Sequence, residues 1–140
     1  MSNNQIIINF LKEKFPRLQG VYLFGSRADG THRPSSDFDI GILLPYDKKL
    51  TGLERFNLAN DLAALIGNDV DLLNLRELYT DVQFEVVANS ERVYCKDEYA
   101  CDTFEMITIS QFQRHKESIK SIVEDVKKRG YIYERNRHSK

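Results

Sequence analysis

The stretch LFGSRADGTHRPSSDFDIGILL, residues 23–44, has a Gly-Ser turn after one apolar run and two aspartates at the start of the next. Residues two apart in a strand point to the same side, so Asp37 and Asp39 share one face if residues 37–44 form a strand. Two like charges at the start of a buried strand repel each other, and their burial is costly unless something neutralises them. The stretch therefore predicts two strands and, at the start of the second, a group that neutralises the carboxylates.

Apolar runs elsewhere predict the other strands of an α/β fold. Residues 20–24 form a short continuous apolar run, which is typical of a buried strand, and residues 37–44 and 69–75 are predicted as the second and third strands. Residues 92–96 are a candidate for a small edge strand. The chain shows no internal repeat and no low-complexity segment, so these strands belong to one domain.

Helical spacing and capping signals lie between the strands. A first helix ends at Pro16, and a capping box of Thr51 and Glu54 begins a second helix that Gly67 ends. Thr80 and Gln83 offer another capping box for a short helix. Residues 97–129 are mainly helical in pattern, with one apolar stripe of which we expect about half to be core. The stripe comprises Phe112, Ile119, Ile122, Val123 and Val126.

A third strand brings further carboxylates to the site. Asp69 and Asp71 share one face at the start of residues 69–75, and either can join Asp37 and Asp39 if the two strands are neighbours. Oxygen ligands suit Mg²⁺, which typically takes one or two carboxylates together with phosphate oxygens and waters. Two such ions can stabilise the attacking and leaving oxygens of a displacement at phosphorus. The pattern therefore predicts a metal site for phosphoryl chemistry.

The Gly-Ser turn fits the same chemistry. Gly25 permits a tight turn and a close approach of the backbone, and Ser26 offers a hydroxyl and free N–H groups to an anion. Arg27 follows, and it is a candidate for a phosphate contact or a solvated loop charge. Phosphate oxygens bound here would lie near the aspartates.

Composition excludes several classes of protein. The 140 residues have a formal net charge of -1, so binding of nucleic acid through bulk positive charge is not expected. No apolar run is long enough to span a bilayer, and the N-terminus has no signal-peptide pattern. The two cysteines, Cys95 and Cys101, suit a reducing cytosol, so we expect a cytoplasmic protein.

The motif of Gly25 and Ser26, ten further residues, then Asp37 and Asp39, resembles the nucleotidyltransferase superfamily of DNA polymerase beta. Within that superfamily it is similar to the minimal nucleotidyltransferases, or MNT proteins, which are commonly paired with a HEPN toxin as MntA-type antitoxins. The resemblance covers roughly residues 3–97. It implies a palm domain over residues 1–97 with a mixed sheet flanked by helices, a C-terminal helical extension over 98–130, and a basic tail over 131–140.

The resemblance also implies roles for single residues. Asp37 and Asp39 would hold two Mg²⁺ ions and the nucleotide phosphates, and Asp71 would complete the metal site on the acceptor side. Gly25, Ser26 and Arg27 would contact the phosphates of the nucleotide. The implied reaction is the transfer of AMP from ATP to a tyrosine of the partner HEPN ribonuclease toxin, in a type VII-like toxin–antitoxin pair.

Two other functions stay open at the level of sequence. The first is a binding-only antitoxin that blocks its toxin by contact and keeps the motif as a relic. The second is a small-molecule transferase related to aminoglycoside-modifying enzymes, although the palm leaves few residues for a substrate pocket. The intact set of aspartates favours an active enzyme over a relic.

Overall fold

A computed structural model of the chain describes residues 2–25 and 37–138, with side chains as far as residue 128. The strands in these ranges are β1 Gly20–Phe24, β2 Phe38–Leu43, β3 Val70–Asn74 and β4 Glu91–Cys95. The helices are α1 Asn3–Lys14, α2 Gly52–Ile66, α3 Thr80–Ala88 and α4 Glu98–His138, with a short 3-10 helix at Leu75–Glu77. The four predicted strands are confirmed, each to within one residue at either end.

The strands form one mixed sheet in the order β3-β2-β1-β4. β1 pairs antiparallel with β2 and with β4, whereas β2 and β3 are parallel. The predicted mixed sheet is therefore confirmed, and the second and third strands are the neighbours that convergence of their aspartates requires. Because β2 and β3 are parallel and start at the same end of the sheet, the first residues of the two strands lie side by side at that end.

Helices cover both faces of the sheet. α1 and α2 pack on one face through Ile7, Leu11 and Leu62, which join a core with the inward side chains of β1, β2 and β3. α3 and α4 pack on the other face, where Val86 and Phe104 contact a second core cluster. The layers hold the start of β2 and β3 in a fixed position relative to the turn after β1.

The helix ends test the capping predictions. The box of Thr51 and Glu54 is formed in both directions, with the Glu54 N–H donating to the Thr51 hydroxyl at 3.0 Å. Gly67 ends α2 in the left-handed conformation, at a φ of 75°. The capping box predicted at Thr80 is wrong, because α3 has Tyr79 as its N-cap and no side-chain bond at that cap. Thr80 is already inside the first turn of α3, one residue too late to cap it.

α4 extends further than the pattern predicted, to His138 rather than to residue 129, and it continues without a break through residues 106–109. Phe112 stacks on Phe84 of α3, with ring centroids 3.8 Å apart. The other members of the apolar stripe are exposed, so the expectation that half of them are core is wrong. These exposed members are Ile119, Ile122, Val123 and Val126. No helix within the described ranges has the length and apolar character needed to cross a membrane.

Candidate active site

The register of β2 and β3 brings two of the predicted carboxylates together. Asp39 is the register partner of Asp71 across the parallel pair, and Asp37 immediately precedes β2. Side chains of partner residues lie on the same face of a sheet, and Asp37 shares that face with Asp39 because it is two residues away. Three carboxylates therefore share one face of the sheet, at the end where β2 and β3 begin.

The neighbouring carboxylates also affect the electrostatics of Asp39. Burial of the side chain raises the pKa of Asp39 above its ordinary value, and the neighbouring charges of Asp71 and then Asp37 raise it further. Desolvation and like charge act in the same direction on a carboxyl group, since both disfavour the anion. Asp69, the alternative third carboxylate, is exposed and does not contribute to this effect. The geometry favours Asp71 over Asp69 as the third member of the cluster.

Gly25 forms the other side of the site. It directly follows β1 and has a φ of 70°, in the left-handed region that side chains disfavour. A Cβ at this position would collide with Oδ2 of Asp39. The turn therefore needs glycine both for its conformation and for the space that the Asp39 carboxylate occupies. Ser26 and Arg27, the other predicted phosphate contacts, lie outside the described residues.

The donor set of this cluster suits a hard cation. Within residues 2–25 and 37–128, no three carboxylate, imidazole or thiol side chains are arranged so that all could ligate one ion. Mg²⁺ needs only one or two carboxylates when phosphate oxygens and waters complete its shell, and Asp37 and Asp39 offer that number. A cation there would also relieve the repulsion that raises the pKa of Asp39. The residues present therefore fit the implied metal.

A cavity next to Asp71 was not predicted from the sequence. It lies between α2 and β3 and is lined in part by Arg55, Phe56 and Asn60. The spacing of Phe56 and Asn60 places them on one face of α2, but the same spacing also occurs on solvated helices. The cavity lies on the face of the sheet that α2 covers, whereas Asp39 lies on the other face with its register partner Phe24.

The chain is similar to known proteins over most of its length. The family model described as polymerase beta, nucleotidyltransferase, matches residues 5–99 of this chain. The protein adenylyltransferase MntA of Shewanella oneidensis is 34% identical to this chain over 124 residues. That alignment covers 89% of this chain and 87% of MntA.

Solved structures resemble the chain over the same length. One is a crystal structure of a toxin–antitoxin with AMP-PNP, in which the similar chain is 35% identical with a TM-score of 0.76. The match covers 89% of this chain and 98% of that one. Another is a tri-AMPylated Shewanella oneidensis HEPN toxin in complex with MNT antitoxin, where the similar chain is 31% identical with a TM-score of 0.72. It covers 89% of this chain and 95% of that one.

Proposed function

This chain belongs to the polymerase beta nucleotidyltransferase family, and from that premise we propose that it is a protein adenylyltransferase. It transfers AMP from ATP to a tyrosine hydroxyl of a cognate HEPN ribonuclease toxin and thereby acts as the antitoxin of the pair. The observation that carries this proposal is the pairing of Asp39 with Asp71 beside the Gly25 turn. The similarity to MntA and to antitoxin chains solved with AMP-PNP and with an AMPylated toxin supports the choice of substrates.

The nucleotide binds at the Gly25 side of the site. Free backbone N–H groups at a tight turn attract phosphate oxygens, and Ser26 and Arg27 follow that turn in the sequence. Asp39 lies next to the turn, and Asp37 and Asp39 would hold Mg²⁺ at this place. When bound, the metal supplies positive charge that offsets the charge developing on the phosphate oxygens.

The acceptor binds at the Asp71 side. The tyrosine oxygen forms a bond to the α-phosphorus, and the bond from that phosphorus to the bridging oxygen breaks, so that pyrophosphate leaves with the electron pair. The carboxylate of Asp71 is exposed and takes the phenolic proton. A phenol has a pKa of about 10, so it loses this proton more readily than an aliphatic hydroxyl does.

The free thiols of Cys95 and Cys101 are compatible with the cytosol as the place of the reaction.

The test is transfer of labelled AMP from ATP, in the presence of Mg²⁺, to a purified cognate HEPN toxin. We expect the wild-type chain to label that protein at a tyrosine, and Asp39→Asn or chelation by EDTA to lower the rate by on the order of 10²-fold or more. Asp69→Asn is the matched control, since it removes a carboxylate just before β3 and leaves Asp37, Asp39 and Asp71 in place. Full transfer by Asp39→Asn would contradict the proposed site.

A second measurement separates catalysis from contact. Cells that carry the HEPN toxin are supplied with the wild-type chain or with Asp39→Asn, and growth is compared. If AMP transfer silences the toxin, only the wild-type chain restores growth. If both restore it equally, the chain acts as a binding-only antitoxin and transfer is not its role in the pair.

A further inference from the structure

Two cysteine thiols lie in contact where β4 is followed by α4. Cys95 is the last residue of β4, and Cys101 is in the first turn of α4. Both are free thiols, and their sulfur atoms are 2.7 Å apart. A disulfide bond is about 2.05 Å long, so the two sulfur atoms need to approach each other by less than about 1 Å to form one.

Backbone hydrogen bonds hold both cysteines in this position. The N–H of Lys96, the residue after β4, donates to the Gln19 carbonyl at 2.9 Å and fixes the end of β4 beside the start of β1. Asp97 caps α4, because its carboxylate accepts from the Ala100 N–H at 3.1 Å and its carbonyl accepts from the Cys101 N–H at 3.0 Å. The contact between the two thiols therefore needs no movement of a strand or a helix.

The two thiols differ in how an oxidant can reach them. Cys95 is half-buried, whereas Cys101 is fully buried in the core cluster that contains Tyr22 and Phe104. Burial, and then contact with the Cys95 thiol, raise the pKa of Cys101 to about 12, so Cys101 stays protonated near neutral pH. The thiolate is the reactive form of a cysteine, and a buried, protonated thiol reacts slowly. Cys95 is therefore the thiol that an oxidant attacks first.

The donor set around the pair does not fit a metal centre. Protein sites that hold zinc through thiolates use three or four side chains. Among the side chains of residues 2–25 and 37–128, no third carboxylate, imidazole or thiol joins Cys95 and Cys101 in such a group. The chemistry that two adjacent thiols can carry out by themselves is oxidation to a disulfide, and cytosolic disulfides are usually transient.

We infer that Cys95 and Cys101 are a site of reversible oxidation, at which hydrogen peroxide joins the two sulfur atoms in a disulfide between β4 and α4. The Cys95 sulfur attacks the peroxide and the O–O bond breaks, so that Cys95 becomes a sulfenic acid and one water leaves with its proton. The Cys101 sulfur then bonds to the Cys95 sulfur, and the hydroxyl of the sulfenic acid leaves with the Cys101 proton as a second water. The two thiols lose two electrons and two protons, and the peroxide is reduced to two waters. A dithiol reverses the oxidation by thiol–disulfide exchange.

The disulfide forms far from the carboxylates of the candidate active site. Cys95 pairs with Gly20 at the start of β1, whereas Asp39 pairs with Phe24 at its end, and four residues of a strand span about 13 Å. Oxidation therefore leaves the aspartates in place and acts on the attachment of α4 to the sheet. A bond between β4 and the first turn of α4 restricts the unfolded chain and so stabilises the folded one. The inference does not depend on the proposed function.

The experiment treats the purified full-length chain with hydrogen peroxide and measures its intact mass and its free thiols after denaturation. We expect the mass to fall by about 2 Da, both thiols to be lost and no cross-linked dimer to appear on a non-reducing gel. A dithiol should restore the mass and both thiols. Cys95→Ser is the matched control, because it removes the more exposed thiol of the pair. Oxidation of Met106, which is exposed, adds about 16 Da to both proteins and is distinguished by comparing them.

Thermal unfolding measures what the disulfide does to the fold. The oxidised wild-type chain should have a Tm higher than that of the reduced chain by on the order of 5 °C, whereas peroxide should leave the Tm of Cys95→Ser unchanged. Equal Tm values for the oxidised and the reduced wild-type chain would overturn the inference that the bond strengthens the attachment of α4.

Two results of the peroxide treatment would overturn the oxidation site itself. One is retention of both thiols at a peroxide concentration that oxidises Met106, since the exposed methionine shows that enough oxidant is present. The other is a disulfide that links two chains instead of Cys95 and Cys101 of the same chain. Transfer of AMP by the reduced chain tests the proposed function separately.

Discussion

At the scale of single residues, a comparison of Gly25 with Gly67 distinguishes the cost of backbone strain from an effect on catalysis. Both have a positive φ, of 70° and 75°, but a Cβ at Gly25 meets the Asp39 carboxylate while a Cβ at Gly67 meets no atom within 4 Å. We expect Gly25→Ala and Gly67→Ala each to lower the free energy of unfolding by about 1–2 kcal/mol, the cost of a left-handed residue with a side chain. Urea unfolding measures both values.

Only Gly25→Ala should also abolish AMP transfer, because the new methyl group displaces Asp39 from its place beside the turn. Gly67→Ala is the control for the loss of stability alone. An active Gly25→Ala protein would show that the site tolerates movement of Asp39, and it would contradict the close approach of the turn to that carboxylate.

Asp39 connects the chemistry of the site with the stability of the fold. Burial and the charges of Asp71 and Asp37 raise the pKa of Asp39, so the folded protein binds its proton more tightly than the unfolded chain does. Stability falls as the pH rises wherever the folded state holds more protons, and here the fall begins near the unfolded pKa of about 4 and is complete above the raised folded pKa. Below pH 4 the carboxyl is protonated in both states and the penalty disappears.

Asp39→Asn should therefore raise the Tm of the nucleotide-free protein by a few degrees at pH 7, and this gain should shrink as the pH is lowered towards 4. Thermal unfolding across that range, followed by circular dichroism, measures it. Asp69→Asn is the control, because Asp69 is exposed and lies outside the cluster, and its Tm should match the wild type. A lower Tm for Asp39→Asn at pH 7 would show that the carboxylate stabilises the fold instead of straining it.

At the scale of helices and strands, the sequence predicts most of the architecture because local signals coincide. Each buried strand is a short run of mainly apolar residues, and the boundaries of α2 are set by a capping box and by Gly67, which act within a few residues of the chain. α3 shows the limit of such signals. Thr80 and Gln83 have the spacing of a capping box. After the 3-10 helix at Leu75–Glu77, however, α3 begins at Thr80 itself, and Tyr79 is therefore the N-cap.

The candidate site is predictable from the sequence to a similar extent. The spacing of Asp37 and Asp39 fixes a shared face, and two aspartates open the next strand, so a cluster follows once β2 and β3 are neighbours. The sequence favours Asp71 and keeps Asp69 as an alternative on the same face, and the register places Asp71 opposite Asp39. The cavity at Arg55 was beyond prediction, because it depends on how α2 packs against β3 and no local pattern encodes that distance.

At the scale of the whole molecule, the chain consists of a packed palm and a helical arm, the part of α4 that follows Phe112. The palm ends where Phe112 stacks on Phe84, and every residue from 113 to 128 is exposed. The match to the nucleotidyltransferase family model ends at residue 99, near the start of α4. Helices in proteins owe most of their stability to packing of an apolar face, and the arm has no such packing within the described side chains.

Removal of residues 115–140 should therefore leave the palm intact. We expect the free energy of unfolding in urea to change by less than about 0.5 kcal/mol, as for other surface changes, and ATP binding to be retained. Phe112→Ala in the full chain is the control. It should lower the free energy of unfolding by about 0.5–1.5 kcal/mol or more, because it removes the stacked pair of rings between α4 and α3. A truncated chain that loses more stability than Phe112→Ala would show that the arm packs against the palm in solution. The exposed stripe from Ile119 to Val126 would then be part of the fold of the monomer.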